Sequence, residues 1–352
     1  MLAGQKKLMI VTDAWAPQVN GVERTVRMLE DELGRIGVQV TLLTPEGFWT
    51  IPVPSYSEIR LAIATQSRVS KLIEQGSPSA VHIATEGPLG QLARRHCIRF
   101  GRKFTTCYHT RYPEYVAARA PIPLAWSYSF LRWFHSGATA TMVSSHSLKQ
   151  ELESWGFQNL AVWSRGVQVE PLLQATPANL HLPRPIFLNV GRVAVEKNLE
   201  AFLSLDLPGS KVIVGDGPAR PGLEAKYPNV HFLGFRDGSE LASIYASADV
   251  FVFPSRTDTY GLVIIEALAA GAPVAAFDVP GPRDVLEGAT CGVLSDDLRE
   301  AAIQALAIDR NDCRAFAAQK TMRASAKSFL NIIETALGLP RFEGTRPAPV
   351  KV

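Results

Sequence analysis

Two apolar patterns alternate along this chain, and their alternation is the first evidence of its fold. Short, mostly apolar runs, such as Ile186–Val190 and Val250–Phe253, have the composition of strands buried on both faces. Between such runs apolar residues recur at helical spacing, as at Val22, Val26, Leu29, Leu33 and Ile36. In the first half, strands are predicted at residues 8–12, 38–43, 80–84, 104–108 and 139–143. In the second half they are predicted at 186–190, 211–214, 230–233, 250–253 and 273–276. Asn20 and Glu23 form a capping pair that starts the first helix near Gly21. Strands alternating with helices predict an α/β chain with parallel sheets. The stretch 176–185 holds Pro177, Pro183 and Pro185 and reads as a linker, dividing residues 1–182 from 183–308. Residues 309–339 are read as one terminal helical segment, and 340–352, with three prolines, as a loose tail.

At 352 residues the chain has material for two domains with separate cores. Hydrophobic content of 47% and charge of 20% fit a soluble globular protein. The longest nearly apolar stretch, 262–279, is interrupted by Glu266 and Asp278, so no membrane-spanning helix is expected. Lys6 and Lys7 lead directly into a strand ending near Asp13, which is not the pattern of a signal peptide. Cys97, Cys107, Cys291 and Cys313 have no C-x-x-C spacing and are expected to be reduced. The net charge of +3 is unevenly shared: residues 1–182 carry 18 Lys+Arg against 13 Asp+Glu, and the rest 18 against 20. A basic first half suits a partner with an anionic surface.

Candidate chemistry concentrates just after the second-half strands, where open α/β sheets bind ligands. After 250–253 comes Pro254-Ser255-Arg256-Thr257-Asp258-Thr259-Tyr260-Gly261, then a helix carrying Glu266. After 186–190 comes Gly191-Arg192, with Lys197 five residues on. Ionised carboxylates accept strong hydrogen bonds from a diol, and fixed cations neutralise phosphate. Two carboxylates and two cations therefore match a nucleotide-sugar. Glu266 interrupts an apolar helix, a position that is costly for a charge without a role or partner. Gly21, at a loop entering a helix, is a natural phosphate position. The absence of G-x-G-x-x-G after the first strand argues against a dinucleotide oxidoreductase.

These segments resemble the family 4 glycosyltransferases, whose Glu-x7-Glu hallmark here reads Asp258-x7-Glu266. A branch with Ser-x-Thr-Asp-Thr-aromatic-Gly, containing glycolipid synthases and mannosyltransferases, carries Asp in that place. Pro17-Gln18-Val19-Asn20-Gly21-Val22, His82-Ile83-Ala84-Thr85-Glu86-Gly87-Pro88-Leu89-Gly90 and Tyr108-His109-Thr110 extend the resemblance through the first half. Arg165-Gly166-Val167 is similar to a family segment but continues with Gln168 in place of Asp.

The resemblance implies the GT-B fold: two facing Rossmann-like domains, with a C-terminal helix crossing back to the first. It implies a retaining hexosyltransferase; with no His/Asp/Glu cluster at ligand spacing, and with cations placed to take over a metal's task, no metal or other cofactor is expected. Catalysis would fall to His109, Arg192, Lys197 and Asp258. The donor would be held by Gly21, Gly191, Arg192, Lys197, Asp258, Thr259, Tyr260, Gly261 and Glu266, and the acceptor by Glu86, Tyr112 and Trp126. Gly215-Asp216-Gly217-Pro218 is similar to a loop near the nucleotide, though Gly-Asp-Gly is a common turn.

Arg94, Arg95, Arg99, Arg102 and Lys103 lie within ten residues, followed by Tyr115, Trp126, Tyr128, Phe130, Trp133 and Phe134 flanked by Arg119 and Arg132. Basic residues beside aromatics suit an anionic membrane surface, and Arg94–Lys103 with Trp133 and Phe134 are the expected contacts. The expected protein is cytoplasmic, held at the inner face of the membrane, with a UDP-sugar donor and a lipid acceptor such as diacylglycerol. Nucleic acid is not an expected partner. Competing readings are a GDP-mannose-dependent or other transferase with a soluble or polysaccharide acceptor, a nucleotide-sugar epimerase, and a non-catalytic sugar-nucleotide binder.

Overall fold

The computed structural model describes residues 7–17, 20–53, 56–117 and 122–341, without the side chains of 53, 56–58 and 115–117. Gln18, Val19, Arg119, the Tyr115 side chain and the expected tail beyond Arg341 lie outside the described residues. The chain divides into two compact units, Met1–Ser164 with Arg323–Val352, and Arg165–Met322.

The first unit opens with β1 (Lys7–Val11), α1 (Gly21–Arg35) and β2 (Gln39–Leu43), then β3 (Trp49–Val53) and β4 (Tyr56–Ile63). Next come α2 (Gln66–Gly76), β5 (Ala80–Ile83), α3 (Pro88–Arg99), β6 (Thr105–Cys107) and α4 (Tyr112–Ala117). α5 (Leu124–Ser136), β7 (Ala140–Val143), α6 (His146–Ser154) and β8 (Leu160–Val162) complete the run. Six strands form a parallel sheet in the order β2-β1-β5-β6-β7-β8, and β3 and β4 make a separate antiparallel ribbon. Asn20 caps α1, accepting from the Val22 and Glu23 amides at 2.9 Å each. Glu23 does not complete the expected reciprocal cap: its carboxylate pairs with Arg27 one turn on.

Asp13, at the carboxyl end of β1, caps α3 from a distance in sequence. It accepts from the Leu89 amide at 2.8 Å, the Gly90 amide at 3.2 Å and the Thr85 hydroxyl at 2.9 Å. Burial pushes its carboxyl up to about 6, against the lowering pull of these donors. These bonds tie the loops after β1 and β5, neighbouring strands at the point where strand order reverses.

The second unit contains α7 (Glu170–Leu173), β9 (Ile186–Val190), a 3-10 turn at Val195–Lys197, α8 (Glu200–Leu203) and β10 (Ser210–Val214). α9 (Arg220–Lys226), β11 (His231–Gly234), α10 (Gly238–Ser247), β12 (Val250–Phe253) and α11 (Leu262–Ala269) follow. β13 (Val274–Ala276), α12 (Pro280–Val285), β14 (Gly292–Leu294), α13 (Leu298–Ala305) and α14 (Arg310–Ala317) end it, and α15 (Met322–Leu337) leads back to the first unit. The parallel sheet order, β11-β10-β9-β12-β13-β14, is Rossmann-like, with its reversal between β9 and β12.

Three features differ from expectation. The division falls after Ser164, not after 182, because Val167, Val169 and Leu172 belong to the second unit's core and Ala178, Leu180 and Leu182 pack on it. Residues 309–337 are not one helical run: between α14 and α15 the chain makes a parallel bridge from Thr321 to Val167. Strands β3, β4, β8 and β14 were not foreseen. α15 does join the first unit, where the Phe329 ring lies 4.9 Å from those of His82 and Trp163, and Trp163 Nε1 donates to the Ser325 carbonyl at 3.0 Å. All four cysteines are free and buried. No helix among the described residues is long and apolar enough to cross a membrane.

Candidate active site

β9 and β12 are neighbours, so the loops after them meet at the reversal point of the second sheet. Three side-chain bonds knit these loops together. Asn198 Nδ2 donates to the Pro254 carbonyl at 3.0 Å, and the Thr257 hydroxyl to the Glu196 carbonyl at 3.3 Å. Lys197 Nζ donates to Asp258 Oδ1 at 2.5 Å. The predicted cation and the predicted carboxylate are thus one ion pair, with 28% and 15% of their side chains exposed. Asp258 Oδ2 is buried without a hydrogen-bond partner among the described residues. An unmet carboxylate oxygen is expensive, and a ligand hydroxyl donating to it would remove that cost.

Backbone proximity holds this constellation in place. Gly215 has φ +132° and packs against the loop after β9, where an added Cβ would stand 1.9 Å from the Gly191 carbonyl oxygen. On the other side, a Cβ at Gly281, in α12, would lie 2.4 Å from the Asp258 carbonyl oxygen. The Gly-Asp-Gly loop therefore backs Gly191, next to Arg192, which is a structural role and not the nucleotide contact that the resemblance suggested. Gly261 opens α11 at φ +93° with no side-chain cap, so first-turn amides of α11 are left for an anion or hydroxyl oxygen. The Tyr260 ring is buried in the core, and burial pushes its hydroxyl up to about 12, so Tyr260 has its backbone to offer a ligand. Glu266 is 4% exposed and accepts the Tyr245 hydroxyl at 2.8 Å. Tyr245, not singled out from sequence, fixes the orientation of that carboxylate.

In the first unit, His109 lies just past β6, its ring 6.4 Å from that of Trp163. Glu86 lies past β5 and its Oε1 meets His135 Nε2 at 3.2 Å. Gly21 has open space beside it, but Asn20 takes up the adjacent Val22 and Glu23 amides, which leaves fewer donors for a phosphate than expected. Tyr112 and Trp126 are exposed.

Two expected membrane contacts are corrected. Arg94 is buried and donates to the Phe134 and Trp133 carbonyls at 2.8 Å each, and Phe134 is 0% exposed in the core. Arg102 is half-buried and donates to the Pro78 carbonyl at 2.7 Å, while Arg95, Arg99 and Lys103 are exposed. Trp126, Phe130 and Trp133, spaced i, i+4 and i+7, form an exposed stripe on α5.

Comparison with known proteins agrees with this arrangement. Residues 184–310 match the family described as "Glycosyl transferases group 1", and residues 19–171 match "Glycosyltransferase Family 4". A GDP-mannose-dependent alpha-mannosyltransferase of Mycobacterium tuberculosis is 30% identical, over 82% of this chain and 83% of that one. An alpha-monoglucosyldiacylglycerol synthase of Streptococcus pneumoniae is 26% identical, over 92% of this chain and 83% of that one. The solved structure of sucrose-phosphate synthase from Thermosynechococcus elongatus superimposes with a TM-score of 0.74 at 21% identity, covering 95% of this chain and 99% of that one, and shows the GT-B fold. With both halves matched and relatives aligned along most of its length, the chain belongs to glycosyltransferase family 4 and is a glycosyltransferase.

Proposed function

We propose that this glycosyltransferase moves a hexosyl group from a nucleotide-sugar to a membrane lipid such as diacylglycerol, with retention and without a metal. The observation that carries the lipid reading is the α5 stripe. Trp126 is 72% exposed, Trp133 52% and Phe130 39%, on a helix whose other face already fills the core. Exposed aromatics at helical spacing suit the interface of a bilayer. α3 packs against the same helix through Arg94 and carries the exposed Arg95 and Arg99, so cations accompany the stripe. The name of the pneumococcal relative supports a lipid acceptor. UDP-sugar is the donor favoured with that acceptor. GDP-mannose is the second reading, supported by the name of the mycobacterial relative.

In this reading Glu266 takes the ribose hydroxyls, and Asp258 with the α11 amides takes those of the sugar. Arg192 and Lys197 neutralise the diphosphate while the bond from the sugar C1 to phosphate oxygen breaks. That charge develops in the transition state, where fixed cations act most strongly. The acceptor hydroxyl attacks C1 from the face the diphosphate leaves, and its proton goes to the departing phosphate. His109 orients the oxocarbenium-like sugar.

Vesicle co-sedimentation tests the lipid reading. Binding to anionic vesicles is expected to weaken with salt, since each exposed Lys or Arg contributes roughly 1 kcal/mol and 1 M salt shortens screening to about 3 Å. Arg95→Glu, Arg99→Glu and Lys103→Glu together are expected to remove the salt-sensitive part. Trp126→Ser with Phe130→Ser is expected to remove the salt-resistant part, leaving Trp133 beneath the Arg94 guanidinium. Binding by both variants equal to that of the parent would favour a soluble acceptor.

A further inference from the structure

We infer that His135 is a positioning residue for the acceptor: its imidazole fixes the Glu86 carboxylate so that Glu86 receives an acceptor hydroxyl. The inference rests on the transferase reading and assigns the residues that orient its second substrate. Glu86 stands just past the carboxyl end of β5, at the ligand-binding edge of a parallel sheet, with 23% of its side chain exposed. His135, on the inner face of α5, is 3% exposed.

The contacts form a directed chain through the sheet. Glu86 Oε1 meets His135 Nε2 at 3.2 Å. His135 Nδ1 meets the Thr106 hydroxyl at 2.9 Å, and Thr106 meets the Thr141 hydroxyl at 2.9 Å. Thr106 and Thr141 are 0% exposed and lie on the paired strands β6 and β7, so the far end of the chain is rigid. An ionised Glu86 only accepts, so Nε2 carries the proton facing it. In the neutral ring Nδ1 then accepts from Thr106, which in turn accepts from Thr141. One tautomer and one ring orientation satisfy every member. A buried histidine locked in this way holds a half-exposed carboxylate still, and a hydroxyl bound to that carboxylate inherits its position. The same helix carries Trp126, Phe130 and Trp133 outward, so the element facing the lipid also sets the carboxylate offered to its head group.

The test follows transfer from UDP-glucose or GDP-mannose to diacylglycerol in vesicles, alongside slow donor hydrolysis without acceptor. Thr106→Val, close in shape but without the hydroxyl, is expected to lower kcat/KM for diacylglycerol roughly tenfold to a hundredfold, with donor hydrolysis unchanged and melting modestly lowered, because His135 Nδ1 and the Thr141 hydroxyl lose their partner. Thr106→Ser is expected to restore it. His135→Leu is expected to match Thr106→Val, and to add no further loss in a chain already carrying Glu86→Gln. Unchanged acceptor kinetics in Thr106→Val and His135→Leu, or an equal fall in donor hydrolysis, would overturn the inference. A parent that consumes neither donor would count against the proposed donor and lipid acceptor instead. Imidazole 15N shifts decide the pairing even then: those of His135 move in Glu86→Gln if the contact exists, and an unmoved shift sinks it.

Discussion

Replacing Arg192 or Lys197 by alanine is expected to cut turnover at saturating donor on the order of a hundredfold or more, the usual effect of losing a donor aimed at transition-state charge. The reason lies in how Lys197 is held. Its ammonium is not a loose surface cation: it sits 2.5 Å from Asp258 Oδ1, in a loop bonded to the next one through Asn198 and Thr257. The charge is placed before the donor arrives, so little reorganisation is needed when the leaving diphosphate becomes more negative. Lys197→Ala has a second consequence, because it leaves the Asp258 carboxylate without its counter-charge. The pair is largely buried, so that loss also costs stability. A clear fall in melting temperature together with a large fall in kcat is therefore the expected signature for Lys197→Ala. For Arg192→Ala a large fall in kcat is likewise expected, with a rise in donor KM because the same cation holds the bound diphosphate. Near-parental turnover in either variant would remove the diphosphate role.

The second large effect is expected at Glu266. Glu266→Gln keeps the side chain's shape and can still accept from Tyr245, but it loses the charge offered to a diol. A hydrogen bond to a charged group contributes about 1.5–3 kcal/mol, so donor KM is expected to rise about tenfold to a hundredfold. Because ribose is remote from the breaking bond, kcat is expected to change little. Tyr245→Phe is expected to raise donor KM less, since it removes one hydrogen bond from the carboxylate without neutralising it. Titration with nucleoside diphosphate checks both variants directly. Unchanged affinity in Glu266→Gln would place the ribose elsewhere.

Much of this site was legible because its residues lie close to strong local signals. β12 is a continuous apolar run and β9 is broken only by Asn189, as suits strands buried on both faces, and the residues just beyond them are where a parallel sheet binds ligands. What stayed hidden depends on contacts between segments far apart in sequence. Asp13 caps α3 across more than seventy residues, and His135 meets Glu86 across nearly fifty. Tyr245 touches Glu266 only once α10 and α11 are packed. Gly215 looks like any turn glycine until its approach to Gly191 is seen. β8 and β14 have three residues each, too short for a period to show. The ribbon β3–β4 interrupts an otherwise regular alternation of strand and helix.

The misplaced membrane residues are a different kind of error. Helical spacing already separates Trp126, Phe130 and Trp133 from Tyr128, Leu131 and Phe134 on α5. It likewise sets the buried Arg94 on α3 apart from Arg95 and Arg99. A tally of basic and aromatic residues along the chain carries no such information until it is sorted by helix face.

As a glycosyltransferase, this chain is expected to split a nucleotide-sugar and deliver the sugar to an acceptor. The most direct test is to incubate the full chain with UDP-glucose, UDP-galactose and GDP-mannose in turn, with diacylglycerol vesicles and excess chelator, and to follow nucleoside diphosphate and new glycolipid together. One donor is expected to yield both in equal amounts, with the sugar's anomeric configuration kept, and Lys197→Ala to yield neither at a comparable rate. Release of no nucleoside diphosphate from any of the three donors, with vesicles or with soluble acceptors in their place and with Mg²⁺ or Mn²⁺ restored, would contradict that expectation.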